Sequence, residues 1–596
     1  MLSCVEMKAV LRNIIVFNRH YHRADIGSFF QEKPSLTNTF LTDKYLISVL
    51  CKLLPSDVYK SIETNLSEFG EKVVSYVEPL GDECEKNVPT LHQYSAWGDR
   101  IDEINTCSAW KKMKDFSAEE GLIATAYEKN SHQWSRIHQL VKMYLFSPSS
   151  GLYSCPLAMT DGAAKIFEKG SNNELVTNAF RHLTSRCPRK FWTSGQWMTE
   201  RQGAGGTDTC AILNRDNVYN LYGYKWFSSA TDSDVALTLA RIVADDGSVK
   251  SVCGTEGLSL FFLETHESNG KLNNIQVKKL KNKLGTRQLP TAELLLDGTT
   301  AIKISDEGRG VAEISSMLTL TRIHNAVSAI STMRRILMLA TDYSKRRKSF
   351  GKFICDYPLH VQTLSRMELE TRGSLHLFLH IAKWLGLDDC NLATDRDILL
   401  LRLLTPIIKL YTAKQAMNVV SEGLESFGGQ GYIEDTGLPR LLRDAQVLPI
   451  WEGTTNILSL DVLRSIAKTK GEVLLAFNSD VKERILKPTS SQRLTLAQNT
   501  VLSSLEKTLE FCTKQPHVME VAARDISFSL ARIYIGSLLI EHSLYEDSSE
   551  YDIETAYRWC CTQDLSPVIS FHKFGQYEHK SLQYDKIISL GHLQDN

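Results

Sequence analysis

The sequence is poor in proline, with 15 in 596 residues, which excludes long proline-rich linkers. It has no excess of either charge. Sixty-eight Lys+Arg against 69 Asp+Glu leave a formal net charge of −1, so the bulk field suits neither a nucleic-acid coat nor an anionic membrane surface. No window offers about 18 uninterrupted apolar residues. The nearest approach, Ile526 to Ile540, is cut by Arg532, and no membrane span is expected. The 13 cysteines are scattered, with no C-x-x-C pair, and Cys560 and Cys561 are adjacent, which is not ligand spacing. No metal site is therefore expected, and the cysteines read as reduced thiols. No G-x-G-x-x-G joins a strand to a helix, which argues against a doubly wound dinucleotide fold. No internal repeat is visible.

What is there is an ordinary globular composition, 43% apolar and 23% charged, in a chain long enough for about four domains. Residues 1–28 form an N-terminal extension. Met7, Val10, Leu11, Ile14 and Ile15 share one helical face, with Lys8, Arg12, Arg19 and Arg23 spaced along it. A basic amphipathic N-terminus reads as a mitochondrial transit peptide. Glu6 and Asp25 run against that reading and leave an ordinary surface helix, with a cytoplasmic location, as the alternative.

Residues 29–195 carry a helical period. Leu46, Val49, Leu50, Leu53 and Leu54 set it, Ile123 to Ile137 continue it, and Ser147 to Gly151 make a loop. Over 196–305 the character turns to strands. Val235, Leu237 and Leu239 alternate with smaller residues, Leu258 to Leu263 is a short apolar run, and Glu293 to Leu296 is another, closed by Asp297 and Gly298. The helical period returns over 306–464, with two long stretches at Ile398 to Leu410 and Ala413 to Ser426. It persists over 465–596. Segregation into helices, strands and helices predicts an α+β fold, mainly α, rather than alternating βαβ units.

Four constellations carry chemistry. Met198-Thr199-Glu200-Arg201-Gln202-Gly203-Ala204-Gly205-Gly206-Thr207-Asp208 is a glycine-rich loop whose N–H groups suit a phosphate or a carbonyl-rich ring; a surface turn is the plain alternative. Lys225-Trp226-Phe227-Ser228-Ser229 suits a flat ring ligand or a β-domain core. Arg347-Lys348-Ser349-Phe350-Gly351 lies in a basic run that suits phosphates or simply a solvated face. The fourth is Gly428-Gly429-Gln430-Gly431-Tyr432, then Arg443-Asp444, then Trp451-Glu452-Gly453-Thr454-Thr455-Asn456. In a dry pocket Glu452 would have a raised pKa and serve as a general base; otherwise it caps a helix.

In this order and at these separations, the motifs resemble the acyl-CoA dehydrogenase superfamily, whose patterns read like T-E-x-x-G-S-D, R-x-x-F-G and L-G-G-x-G…R-D…E-G-T. The extra C-terminal helical segment, the Trp451-Glu452-Gly453 wording and Asp461-Val462-Leu463-Arg464 resemble the AidB-like branch, over about residues 30–590. The resemblance implies an N-terminal helical domain, a central β-domain and a C-terminal helical bundle, here followed by a further helical domain. It implies FAD between the β-domain and the bundle. Glu452 would be the catalytic base, removing the α-proton of an acyl-CoA while the β-hydrogen leaves as hydride to flavin N5. The product would be a trans-2-enoyl-CoA, from a medium- or long-chain substrate.

Some relatives carry the base beside an arginine on a bundle helix. Here that place holds Thr321 before Arg322, and threonine cannot serve, so Glu452 alone remains. Thr207, Thr321, Arg322 and Gly453 match substrate-side positions. Met198, Thr199, Gly206 and Thr207 match the loop over the flavin. Phe227 and Ser229 match positions that pack on the ring and bond near N5, and Thr454 and Asn456 match contacts to the ADP half. Arg347, Phe350, Gly428 and Gly429 match residues that reach the cofactor of a neighbouring subunit, which implies a homotetramer arranged as a dimer of dimers. An electron-transfer flavoprotein would be the acceptor. The sequence also departs from the pattern. Thr199 and Thr207 are eight apart where six is usual, Thr207 replaces a serine, and Pro358 and Glu425 stand where many relatives have glutamine.

Two further readings remain open: an acyl-binding flavoprotein with little turnover, and a DNA-associated flavoprotein. The second would want a basic C-terminal domain. Residues 465–596 hold 14 Lys+Arg against 17 Asp+Glu, so no nucleic-acid partner is expected.

Overall fold

The computed structural model describes residues 32–168, 174–201, 209–244, 246–248 and 257–591. The N-terminal extension and most of the glycine-rich loop, including Gly206 and Thr207, lie outside the described residues.

Helices α1 (Lys44–Leu53), α2 (Ser56–Lys72), α3 (Ser135–Phe146) and α4 (Ser154–Glu168) supply most of the first helical region. Asp43 caps α1 by accepting from the Leu46 N–H, and Tyr45, Leu46, Val49 and Leu50 turn inward, as their spacing predicts. The region is not wholly helical. Strands β1 (Thr90–Tyr94) and β2 (Arg100–Asn105) form an antiparallel pair. Their edge meets the β-domain, where Asp102 accepts from the Val277 N–H at 3.0 Å.

Seven strands follow: β3 (Ser194–Trp197), β4 (Cys210–Arg215), β5 (Val218–Ser229), β6 (Val235–Ile242), β7 (Leu258–Glu264), β8 (Ile275–Leu280) and β9 (Thr291–Lys303). The order β3-β6-β4-β5-β9-β7, with an additional β6–β7 pairing, makes a closed ring of five strands, while β8 pairs with β9. Strand β6 is buried on both faces. Ala236 and Ala240 fill the inside of the sheet, and Val235, Leu237 and Leu239 pack outward on the helical core. This explains the alternation of large and small residues. Gly298, expected to close a strand, sits inside β9. Its φ of +86° accommodates a bulge between the Tyr222–Asp297 and Leu221–Thr299 pairs, and the strand runs on to Lys303.

The bundle is built on α5 (Ser315–Arg346), α6 (Pro358–Asp389) and α7 (Asp395–Glu425), with α8 (Leu438–Ala445) and α9 (Thr455–Lys468). The two helical stretches expected at 398–410 and 413–426 are one helix, α7. It opens with a Thr394–Asp397 capping box and carries Pro406 in its interior. The last domain comprises α10 (Glu472–Ile485), α11 (Gln492–Lys514), α12 (Met519–Ser543), α13 (Glu550–Cys561) and two further α-helices among the described residues. Gly373 of α6 lets it dock: a Cβ there would lie 2.6 Å from Ile535 and 2.8 Å from Trp559. Among the described residues no helix is long and apolar enough to cross a membrane.

Candidate active site

A cavity of about 1130 Å³ opens where the first helical domain, the β-domain and the bundle meet. Its walls include Met198 and Thr199 after β3, Phe227 and Ser229 at the end of β5, Thr321 and Arg322 on α5, and Glu452, Gly453 and Thr454 before α9. Nine of the residues picked out in the sequence thus converge on one space.

Glu452 lies on a turn with positive φ at two successive residues, +57° at Glu452 and +103° at Gly453. A non-glycine residue in that region is uncommon and marks a position held by its surroundings. What holds it is visible. The Thr321 hydroxyl donates to Glu452 Oε2 at 2.6 Å, and the Lys409 ammonium donates to the Gly453 carbonyl at 2.6 Å. Burial pushes the Glu452 carboxyl above its usual range, and the Thr321 hydrogen bond and the Arg322 and Lys409 charges only partly offset it. The contest between burial and guanidinium therefore goes to burial. Arg322 is turned aside, its guanidinium bonded to Asp461 at 2.7 Å, and it acts on Glu452 as a nearby charge.

Lys409 escaped the sequence reading. It is fully buried on α7, and burial pushes it down to about 7 against the pull of Glu452. The available signal was a lone lysine inside Pro406-Ile407-Ile408-Lys409-Leu410-Tyr411, since unpaired lysines are rarely buried. The wall residues Thr321, Asn325, Ser328 and Thr332 of α5 were not foreseen as a set either. They recur on one helical face and extend the cavity over roughly 16 Å at about 1.5 Å per residue.

Several motif residues are structural. Glu200 pairs with the buried Lys225 at 2.8 Å and anchors the glycine-rich loop to β5, while the Thr199 carbonyl accepts from the Trp226 N–H. Asp444 accepts from the Thr286 N–H at 2.6 Å, and burial raises its carboxyl to about 6. Arg443 bridges Glu85 and Glu434. Of the remaining predicted positions that are described, Arg347, Phe350, Gly428, Gly429 and Asn456 do not line the cavity. Arg347 follows α5 and leads into a small hairpin whose tip is Phe350, which is 96% exposed at φ +49°. Gly428 and Gly429 stand in a 3₁₀ turn where a Cβ would meet nothing within 4 Å. The side chain of Asn456 lies toward α12, 3.4 Å from Arg524.

The donor set fits a flavin. Phe227 leaves 54% of its surface uncovered at the cavity wall, beside the Ser229 hydroxyl. A flat ring needs such a face together with hydrogen-bond donors at its edge.

A helical domain, a closed β-domain and a helical bundle around a buried glutamate define the acyl-CoA dehydrogenase fold. Four family profiles match in series: the "Adaptive response protein AidB N-terminal domain" over residues 32–187, the "Acyl-CoA dehydrogenase, middle domain" over 195–299, the "Acyl-CoA dehydrogenase, C-terminal domain" over 308–467, and the "Acyl-CoA dehydrogenase 11 C-terminal domain-like" family over 472–588. The chain is 49% identical over 574 residues to acyl-CoA dehydrogenase family member 11 of Caenorhabditis elegans, spanning 93% of this chain and 92% of that one. It is 30% identical over 406 residues to the putative acyl-CoA dehydrogenase AidB of Escherichia coli, spanning 66% of this chain and 72% of that one. The crystal structure of C. elegans ACDH-11 in complex with C11-CoA superposes with a TM-score of 0.92 at 47% identity, covering 97% of this chain and all of the other. The chain belongs to the acyl-CoA dehydrogenase superfamily, in its AidB-like branch.

Proposed function

We propose that this protein is an FAD-dependent dehydrogenase of medium- or long-chain acyl-CoA thioesters. The observation that carries the reading is Glu452, a carboxyl kept above its ordinary pKa by burial, fixed by the Thr321 hydroxyl and facing a large cavity. An α-proton beside a thioester is weakly acidic, and a desolvated, oriented carboxylate is the group that removes it. Thr321 aims the carboxylate, while Arg322 and Lys409 keep its charged form accessible near neutral pH. Met198, Thr199, Phe227, Ser229 and Thr454 would hold FAD, with Gly206 and Thr207 assigned to the same loop. FAD, when bound, supplies the acceptor for the hydride that leaves the β-carbon. The roughly 16 Å wall of α5 supports an acyl chain of medium length or longer, and the related C. elegans structure is a complex with C11-CoA.

We assign Arg347, Phe350, Gly428 and Gly429 to a neighbouring subunit's cofactor in a homotetramer, which sedimentation of the purified protein tests. An electron-transfer flavoprotein is the proposed acceptor, and the mitochondrion the proposed location. A fluorescent fusion that stays cytosolic overturns the latter.

Glu452→Gln tests the central role. The variant should retain FAD while acyl-CoA bleaches the flavin roughly 10²- to 10⁴-fold more slowly. Bleaching at the native rate would remove Glu452 from the mechanism. Bound acyl-CoA without acceptor reduction in the native protein would instead favour the acyl-binding role.

A further inference from the structure

Ser229 heads a chain of three side chains. The Ser229 and Thr291 hydroxyls are 3.0 Å apart. Lys283 Nζ donates to Thr291 Oγ1 at 3.1 Å and to the Leu289 carbonyl at 2.7 Å. All three residues line the cavity. Thr291 is buried, while Lys283 and Ser229 are partly covered.

The hydrogens in this chain are ordered by chemistry. An ammonium has three donors and no acceptor, so Thr291 Oγ1 must accept from Lys283. That leaves the Thr291 proton to donate, and the Ser229 oxygen is the acceptor beside it. The Ser229 proton is then free to turn into the cavity. With a neutral residue at 283 either hydroxyl could donate to the other, and Ser229 would lose its fixed polarity. Lys283 has no ion-pair partner among the described residues. Burial lowers it to about 8, and Asp444 in the last turn of α8 is the charge that favours its protonated form, Cys155 on α4 being a neutral thiol that burial raises to about 12, so the ammonium form predominates at neutral pH.

We infer that Lys283 is a positioning residue for the cofactor, acting through Thr291 to present the Ser229 hydroxyl as a fixed hydrogen-bond donor to an acceptor nitrogen on the edge of the flavin ring. This rests on the FAD reading proposed above. Nothing in the four motifs includes Lys283 or Thr291, because the chain is assembled from the loop after β8, the start of β9 and the end of β5.

The test titrates the FAD-free full-length protein with FAD and records the absorption of the bound flavin. Ser229→Ala should weaken FAD roughly fivefold to tenfold, the value of one hydrogen bond in a dry site, and displace the long-wavelength flavin band. Lys283→Met should give the same displacement, although it does not replace the contacting hydroxyl. Thr291→Val, which keeps the side-chain shape, should do so too. The double variant Lys283→Met with Ser229→Ala should be no worse than Ser229→Ala alone. A loosened loop would lower affinity without matching the Ser229→Ala band, and that result overturns the inference. Additive losses in the double variant, or a native band in Thr291→Val, also overturn it. Failure of the native protein to take up FAD at all overturns the FAD reading itself, and is distinguished by the absence of any flavin spectrum.

Discussion

The ammonium of Lys409 on α7 is hydrogen-bonded to the carbonyl oxygen of Gly453 at 2.6 Å. Gly453 follows the candidate base in sequence, so a residue 44 positions away clamps the strained turn that presents Glu452. The same lysine places a positive charge near the carboxylate.

Replacing Lys409 with methionine removes charge and clamp together. Positive charge lowers the Glu452 pKa, so its loss raises that pKa further and moves the acid limb of the pH–rate profile upward, by roughly one unit if the interaction is worth about 1.4 kcal/mol. Lys409→Arg, which keeps the charge, should leave the limb nearer its native place. Lys409 itself titrates near 7, so the native profile should contain two overlapping steps and that of Lys409→Met one. Stopped-flow flavin reduction across pH 5 to about 9 decides.

Thr321→Val deletes the hydrogen bond that favours the carboxylate form of Glu452. The Glu452 pKa should rise and flavin reduction at neutral pH should slow by roughly tenfold, with little change in FAD retention. Thr321→Ser should restore most of the rate. An unchanged rate in Thr321→Val would show that the hydroxyl does not orient the base.

A buried ionic cluster beneath the cavity sets stability. Asp161 is bonded to Arg136 at 2.9 Å and to His324 at 2.8 Å, and Arg136 also meets Asp389 at 2.7 Å. Although burial alone would raise it, Arg136 and His324 hold the Asp161 carboxyl below the ordinary range. Its contribution is therefore present above the unfolded pKa of about 3.9 and is lost as pH falls below that value. Asp161→Asn leaves Arg136 short of a counter-charge and should cost about 3–5 kcal/mol, read as a lower thermal midpoint at neutral pH. The deficit should shrink as the medium is acidified below pH ~4.

At the far side of the bundle, Gly373→Val would press on Ile535 and Trp559. A loss of about 1–3 kcal/mol is expected in thermal unfolding, from overpacking where the last domain docks. The spectrum of bound FAD should not change.

The candidate base was legible because its signal is local. A carboxylate between tryptophan and glycine, followed by two threonines, is unusual in five consecutive letters. The domain order was legible because helical and strand periods are local too. What stayed hidden depends on partners distant in sequence. Lys409 gains its meaning from Gly453, and Lys283 from Thr291 and Ser229. Gly298 carries the letters of a turn but the geometry of a bulge, because β5 and β8 pair on either side and carry the strand through. The two stretches read at 398–410 and 413–426 are one helix, and Pro406 inside it does not break it, because the packing of that helix overrides the propensity. The β1–β2 pair was missed because its burial pattern is shallow and a helical period surrounds it.

The cavity takes its walls from the loop and helix at 147–159, from β5 and β9, and from α5 and the turn at Glu452. No one domain contains the site, so any ligand that fills it binds only the assembled chain. Its binding energy then adds to the folding free energy, by about 2.7 kcal/mol when the ligand stands at a hundred times its dissociation constant. With FAD as that ligand, as proposed above, vitamin supply and protein abundance would become linked quantities. A cell short of riboflavin would hold less of the folded enzyme, not merely the same amount with fewer cofactors.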